Sequence, residues 1–151
     1  MKVIIVADAS FCPTTKCFGY SIAVHSNKRL YTKDGFVDSA PSSAAAEMLA
    51  TVIAIGYAIE KNLIKNSDTV TVYTDCSHVV SRIRGYPVKE CLVMQEAHSL
   101  LTELLSAHDF RLKVEHVKGH QPSAMSNWLG RLHNQCDRAA RAIMRKNRKE
   151  S

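Results

Sequence analysis

The spacing of apolar residues switches between two periods along the chain, and the switches divide it into elements. Val3 to Ala7 is an unbroken Val/Ile-rich run, which predicts a strand buried on both faces, and it stops at Asp8. Phe11 to Lys16 holds a proline and two threonines and predicts a turn. Gly19 to His25 predicts a second strand, Ser26-Asn27 a tight turn, and Arg29 to Val37 a third strand with Asp34-Gly35 as a candidate break. Ser39 to Ser43 is a linker of small residues. Ala46, Leu49, Ala50, Ile53, Ala54, Tyr57 and Ala58 then fall at helical spacing, with Ser42 or Ser43 as the cap and an end near Lys61-Asn62. Thr69 to Thr74 predicts a strand that closes on Asp75. Ser77 to Ile83 predicts a short helix, broken by Gly85-Tyr86-Pro87.

Val93, Ala97, Leu100, Leu101, Leu104 and Leu105 mark a third helix ending near His108, and Arg111 to Val117 another strand. The polar segment Gln121 to Leu132 reads as a loop. A last helix is expected from near His133, with Cys136, Ala139, Ala140, Ile143 and Met144 on one side. The order βββαβααβα implies one α/β domain over residues 1–146 and a basic tail over 147–151. The sheet is expected to be mixed and five-stranded: an antiparallel meander of strands 1 to 3, strand 1 central, plus two parallel strands, flanked by helices.

The totals narrow the function classes. With 151 residues and 46% apolar content the chain suits one domain with a real core. A net charge of +6 and a pI near 9.2 favour an anionic partner, nucleic acid first. No apolar run approaches the ~20 residues of a membrane span. The N-terminal run is too short for a signal peptide. Five cysteines, an odd number with no C-x-x-C pair, argue against a disulfide framework or zinc site. An intracellular protein is expected, cytoplasmic or, in a eukaryote, nuclear, with no membrane and no obligate protein partner.

The chemistry rests on acids. Asp8 and Asp75 each close a buried strand. If those strands are parallel neighbours, both carboxylates lie at one sheet edge, where open α/β sheets bind ligands. Glu47 stands among Ala44, Ala45, Ala46, Met48 and Leu49, placed in the first turn of its helix. Asp137 is placed in the first turn of the last helix. Taken singly, each acid has a plain alternative: a turn residue, or a carboxylate stabilised by a helix dipole. Taken together, they are hard oxygen ligands of the kind Mg²⁺ and Mn²⁺ prefer. Two such ions ~3.5–4 Å apart are a device for phosphodiester hydrolysis.

Five segments carry a resemblance over nearly the whole chain. Val-Ala-Asp8-Ala-Ser, Ser42-Ser43-Ala-Ala-Ala-Glu47-Met-Leu-Ala, Tyr-Thr-Asp75-Cys-Ser, Val117-Lys118-Gly119-His120 and Cys136-Asp137-Arg-Ala-Ala resemble, in order and spacing, the ribonuclease H family, type 1. The resemblance implies a ribonuclease H-like fold and an endonuclease for the RNA strand of RNA/DNA hybrids. It implies two Mg²⁺ ions (Mn²⁺ as substitute) and 5′-phosphate and 3′-hydroxyl ends; separately, a monomer is expected. Asp8, Glu47, Asp75 and Asp137 would hold the metals, and His120 would assist proton transfer or product release. Rival readings are another nuclease of the fold, junction resolvase-like or reverse-transcriptase-associated, and a catalytically silent nucleic-acid-binding module.

The chain departs from the family pattern in several places. Ala9 replaces a Gly after the first Asp, Phe11 to Lys16 replaces a Gly-rich turn, and Ser42-Ser43 replaces an Asn pair. The segment from His120 to Asp137 is longer than usual. A basic handle found in some members is missing, with Arg82, Arg84 and Lys89 offering little in its place. Ser10, Thr14, Thr15, Ser42, Ser43, Ser77 and Lys118 are candidate nucleic-acid contacts, weighed against turn chemistry for the first three and helix capping for the other serines. Trp128 could stack on a base or anchor its loop. His116 reads as a packing choice, and His133 as a cap near Asp137. Arg131, Arg138 and Arg141 could steer phosphate or line a solvated face.

Overall fold

The computed structural model describes residues 1–86, 88–89, 91–117 and 127–148. Nine elements follow in the expected order: β1 (Lys2–Phe11), β2 (Phe18–Ser26), β3 (Arg29–Val37), α1 (Ser43–Glu60), β4 (Asp68–Thr74), α2 (Ser77–Ile83), α3 (Leu92–Ala107), β5 (Phe110–His116) and α4 (Trp128–Asn147). The sheet order is β3-β2-β1-β4-β5, antiparallel across β1, β2 and β3 and parallel from β1 through β4 to β5. It is the mixed five-stranded sheet the sequence predicts, with β1 central.

The β2–β3 hairpin turns on Asn27 and Lys28, with φ of 52° and 64°. Positive φ at both central residues marks the primed two-residue turn, whose twist matches the flanking strands. Strand β3 runs unbroken through Asp34-Gly35, which pair with Ser21 and Tyr20. A side chain at position 35 would enter the space of the Tyr20 ring, so glycine keeps the strand regular there.

The two faces of the sheet are covered differently. Val3, Ile5 and Ala7 of β1 face α1, as do Phe18, Ile22 and Val24 of β2 and Val70 and Val72 of β4. Helix α1 meets β1, and α3 packs on α1 through Met94, Ala97 and Leu101. By length and composition α1 is apolar enough to cross a membrane, which the sequence reading did not register. Eight of its ten buried residues lie in this core, however, which accounts for the composition.

The opposite face belongs to α4, which crosses β2 and β1. Its core is two small clusters: Val6, Ala23, Leu132 and Cys136, with Tyr73 and Leu129 at the margin, and Cys12, Cys17 and Met144, with Phe36 against them. The helix comes close because Gly19 lacks a side chain; a Cβ there would strike the backbone of Ala140 and Met144.

Two boundaries differ from expectation by several residues. Strand β1 does not stop at Asp8 but continues to Phe11, because β2 keeps pairing with it as far as Phe11↔Phe18. Helix α4 starts at Trp128 instead of near His133. The Asn127 side chain accepts a 2.7 Å hydrogen bond from the Gly130 N–H and caps the helix. Asp137 therefore lies in the third turn, beyond reach of the dipole effect, which fades within the first turn. Glu47 likewise falls past the first turn of α1, which contains no acid. Capping of α1 itself is as expected: the Ala45 N–H donates to Ser42 Oγ at 3.1 Å.

Candidate active site

The site lies where β1 outruns its parallel neighbour. Strand β4 pairs with β1 up to Val6↔Tyr73 and ends at Thr74, whereas β1 goes on for another five residues. Asp8 sits just past the last parallel pair, opposite Ser21 of β2. Alternation along β1 puts it on the same side as Val6, under α4. Asp75 follows immediately after β4. The gap that β4 leaves is where α1 and α4 bring their acids from opposite faces of the sheet.

Asp8 is 1% exposed and Glu47 9%. The Glu47 carboxylate accepts a hydrogen bond from the Ala9 N–H at 3.3 Å, which ties α1 to β1 beside Asp8. Asp75 and Asp137 are more open, with side chains 27% and 16% exposed. Asp137 is held by Arg141 one turn on, at 2.9 Å.

Electrostatics show the four acids to be one cluster. Burial first, then the charges of Asp75 and Asp137 and a hydrogen bond to Asp137, raise the Asp8 carboxyl to about 8; a hydrogen bond to Glu47 works the other way. Burial, then Asp8 and Asp75, also raise Glu47 well above the ordinary carboxylate range, against the Ala9 N–H, which lowers it. Such shifts are what carboxylates undergo when buried together without a cation. Asp8 Oδ2 and Glu47 Oε2 are buried with no hydrogen-bond partner. Buried anionic oxygens of this kind call for a positive charge. The donor set therefore fits divalent metal ions with oxygen preference.

Two histidines missed as site residues complete the surroundings. His133, read from the sequence as a cap, is only 2% exposed on the second turn of α4. Its Nε2 lies 3.8 Å from Asp75 Oδ2. Ligand atoms of Asp8, Asp75 and His133 fall within 4.8 Å of one another. The signal was available: His133 precedes Asp137 by four residues, one helical turn, so both project from the same side. His116, read as a packing choice, is instead exposed at the end of β5, its Nε2 3.1 Å from the Asp75 carbonyl oxygen.

The proposed nucleic-acid contacts are spread along this edge. Ser10 lies in β1, not in a turn, paired with Gly19 and two residues from Asp8. Thr14 and Thr15 do lie in the β1–β2 turn, where Thr15 Oγ1 is 3.0 Å from Cys17 Sγ. Ser42 is a cap; Ser43, exposed, opens α1 one turn before Glu47. Ser77 is not a cap: Cys76 holds that position and Ser77 is the exposed first residue of α2. Trp128 is 45% exposed at the start of α4, its ring 5.5 Å from that of His25. Lys118 and His120 lie outside the described residues.

Comparisons with known proteins bear on the fold. No protein-family model matches the sequence, and no curated protein matches it. Among solved structures, RNase H1 from the halophilic archaeon Halobacterium salinarum NRC-1 superposes with a TM-score of 0.75 at 14% identity, over 97% of this chain and 99% of that one. LC11-RNase H1, solved in complex with an RNA/DNA hybrid, gives 0.74 at 15% identity, over 95% and 97%. The prototype foamy virus protease-reverse transcriptase gives 0.67 at 19% identity, over 93% of this chain and 20% of that one. The resemblance read from five short segments thus holds at the level of architecture, and nearly the whole chain has the ribonuclease H fold.

Proposed function

We propose that this protein is a metal-dependent endoribonuclease that cuts the RNA strand of RNA/DNA hybrids. The observation that carries the reading is the convergence of buried Asp8 and Glu47 with Asp75 and Asp137 where β1 outruns β4, with Asp8 Oδ2 and Glu47 Oε2 buried and without a hydrogen-bond partner. Asp8, Glu47, Asp75 and Asp137 would hold the ions, with Glu47 oriented by the Ala9 N–H and Asp137 by Arg141. A divalent pair held there would supply activation of water and stabilisation of the leaving oxygen, which would leave 5′-phosphate and 3′-hydroxyl ends. From the Val-Lys-Gly-His motif it closes in the sequence, His120 would assist proton transfer or product release; His120→Ala is expected to lower turnover by about one to three orders of magnitude. Support for the hybrid comes from the fold shared with LC11-RNase H1 and from the net charge of +6. The 2′-hydroxyl is the group that distinguishes the RNA strand.

The test is incubation of labelled RNA/DNA hybrid, duplex DNA and duplex RNA, with and without Mg²⁺ or Mn²⁺. Cleavage of the RNA strand of the hybrid alone, only with metal, is expected. Equal cutting of duplex DNA would favour a resolvase-like enzyme, and binding without cutting a silent module. Affinity is expected to fall as salt rises, because phosphate contacts release counterions.

A further inference from the structure

We propose that His133 is a metal ligand, so that one ion position at this centre is a mixed nitrogen–oxygen site that takes Mn²⁺ in preference to Mg²⁺. The inference rests on the metal-dependent reading above and specifies its cofactor. Three observations carry it. His133 is 2% exposed and fixed on a helix, so its imidazole is placed before any ligand arrives. Its Nε2 lies 3.8 Å from Asp75 Oδ2, too far for a direct hydrogen bond. Two donors each about 2.1 Å from one ion stand between about 3 and about 4.2 Å apart, and the observed distance lies in that window. Asp8 contributes the third donor, within 4.8 Å of both others, and its buried Oδ2 has no hydrogen-bond partner.

The chemistry of the donors decides the metal. Mg²⁺ demands oxygen and keeps its waters, whereas imidazole suits transition metals. Replacing one oxygen donor by nitrogen raises affinity for Mn²⁺, and for the later divalent metals in their usual order, more than for Mg²⁺. Glu47 and Asp137, the other two acids of the cluster, add only oxygen donors.

The experiment is pulsed electron paramagnetic resonance on the Mn²⁺-loaded full chain, with Mn²⁺ and Mg²⁺ affinities measured by calorimetry. A nitrogen coupling of directly bound imidazole is expected, changing to the ¹⁵N pattern when histidine is labelled. His133→Asn should remove it, weaken Mn²⁺ binding about ten- to a hundredfold and leave Mg²⁺ binding nearly unchanged. If that variant does not fold, the other six histidines serve by elimination: single Gln substitutions at His25, His78, His98, His108, His116 and His120 must all keep the coupling. Mn²⁺ bound without nitrogen coupling, or coupling that persists in His133→Asn or disappears in any of those Gln variants, overturns the assignment while leaving the carboxylate centre standing. Failure of Mn²⁺ to bind the wild-type chain at millimolar concentration overturns both.

Discussion

The two faces of the sheet divide the work. On the α1 side, a continuous apolar core runs from Val3 to Leu101 and buries side chains as large as Phe18, Ile55 and Met94. On the α4 side the buried apolar groups form two small clusters, Val6, Ala23, Leu132 and Cys136 in one and Cys12, Cys17 and Met144 in the other, and the helix that packs there carries His133 and Asp137. A large apolar face supplies cohesion. A thin one leaves room for charged groups that the first could not hold. Glu47 crosses between them: it belongs to the core helix yet reaches the backbone of Ala9. Stability and chemistry are therefore expected to respond to different substitutions.

The largest separation is expected at Asp75 and Ile55. Asp75→Asn removes one charge with little change in shape and should lower hybrid cleavage on the order of a thousandfold, a loss of about 4 kcal/mol of transition-state stabilisation. Its melting temperature should not fall, since repulsion with Asp8 and Glu47 is relieved. Ile55→Ala, on the apolar face, should cost about 2–5 kcal/mol of stability while leaving turnover per folded molecule unchanged. Steady-state kinetics and chemical denaturation on both variants check this. Full activity in Asp75→Asn would end the metal reading.

Gly19→Ala should break the division. The new methyl meets the backbone of Ala140 and Met144, which cannot give way as a side chain can. Overpacking of this kind costs about 1–3 kcal/mol. Because α4 must shift to accommodate it, Asp137 and His133 move too, and turnover should fall together with stability. A stable, fully active Gly19→Ala protein would show that α4 need not sit so close.

The same contrast explains what was legible in the sequence. The apolar face was read well because period-2 and helical spacing report burial directly: β2, β4, α1 and α3 all lie within a few residues of expectation. The α4 face was read poorly at its ends. The polar residues after Ala7 suggested that β1 stopped at Asp8, yet pairing with β2 carries it on. Gly130 among polar neighbours suggested a loop, although Leu129, Leu132, Cys136 and Ala140 keep helical spacing and Asn127 is a favourable cap. That misplaced start made Asp137 a dipole-stabilised acid and hid His133. The four acids were picked out by their places at the ends of buried strands and in two helices and by their shared ligand chemistry, and the family resemblance joined them into one site, because periodicity alone cannot show which carboxylates meet.

A smaller effect should appear in the pH dependence of the metal-free protein. Asp8 is raised to about 8 and Glu47 is raised as well, so the folded chain binds more protons than the unfolded one. Stability from these groups is fully present below their unfolded values near pH 4 and is lost as pH rises toward 8. Thermal melts in chelator from pH 5 to 8 should show this decline. Saturating Mn²⁺ should flatten or reverse it, because the cation replaces the protons. Asp8→Asn should remove much of the slope. A slope unchanged in that variant would mean that Asp8 is not the group retaining the proton.

The smallest effects compare the two helix caps, one on each face. Ser42 caps α1 through the Ala45 N–H, and Asn127 caps α4 through the Gly130 N–H. Loss of either side chain by alanine substitution should cost about 1 kcal/mol, the usual value of a cap. Their effects on activity should differ. Ser42 is only partly buried and lies beside exposed Ser43, one turn before Glu47, at the edge where a hybrid would lie. Ser42→Ala should therefore raise KM for a short hybrid while leaving kcat nearly unchanged, since uniform binding is lost without loss at the reacting atoms. Asn127→Ala should lower stability without moving KM. Equal KM in both variants would leave Ser42 as a cap alone and return hybrid contact on this face to Ser43 and its neighbours.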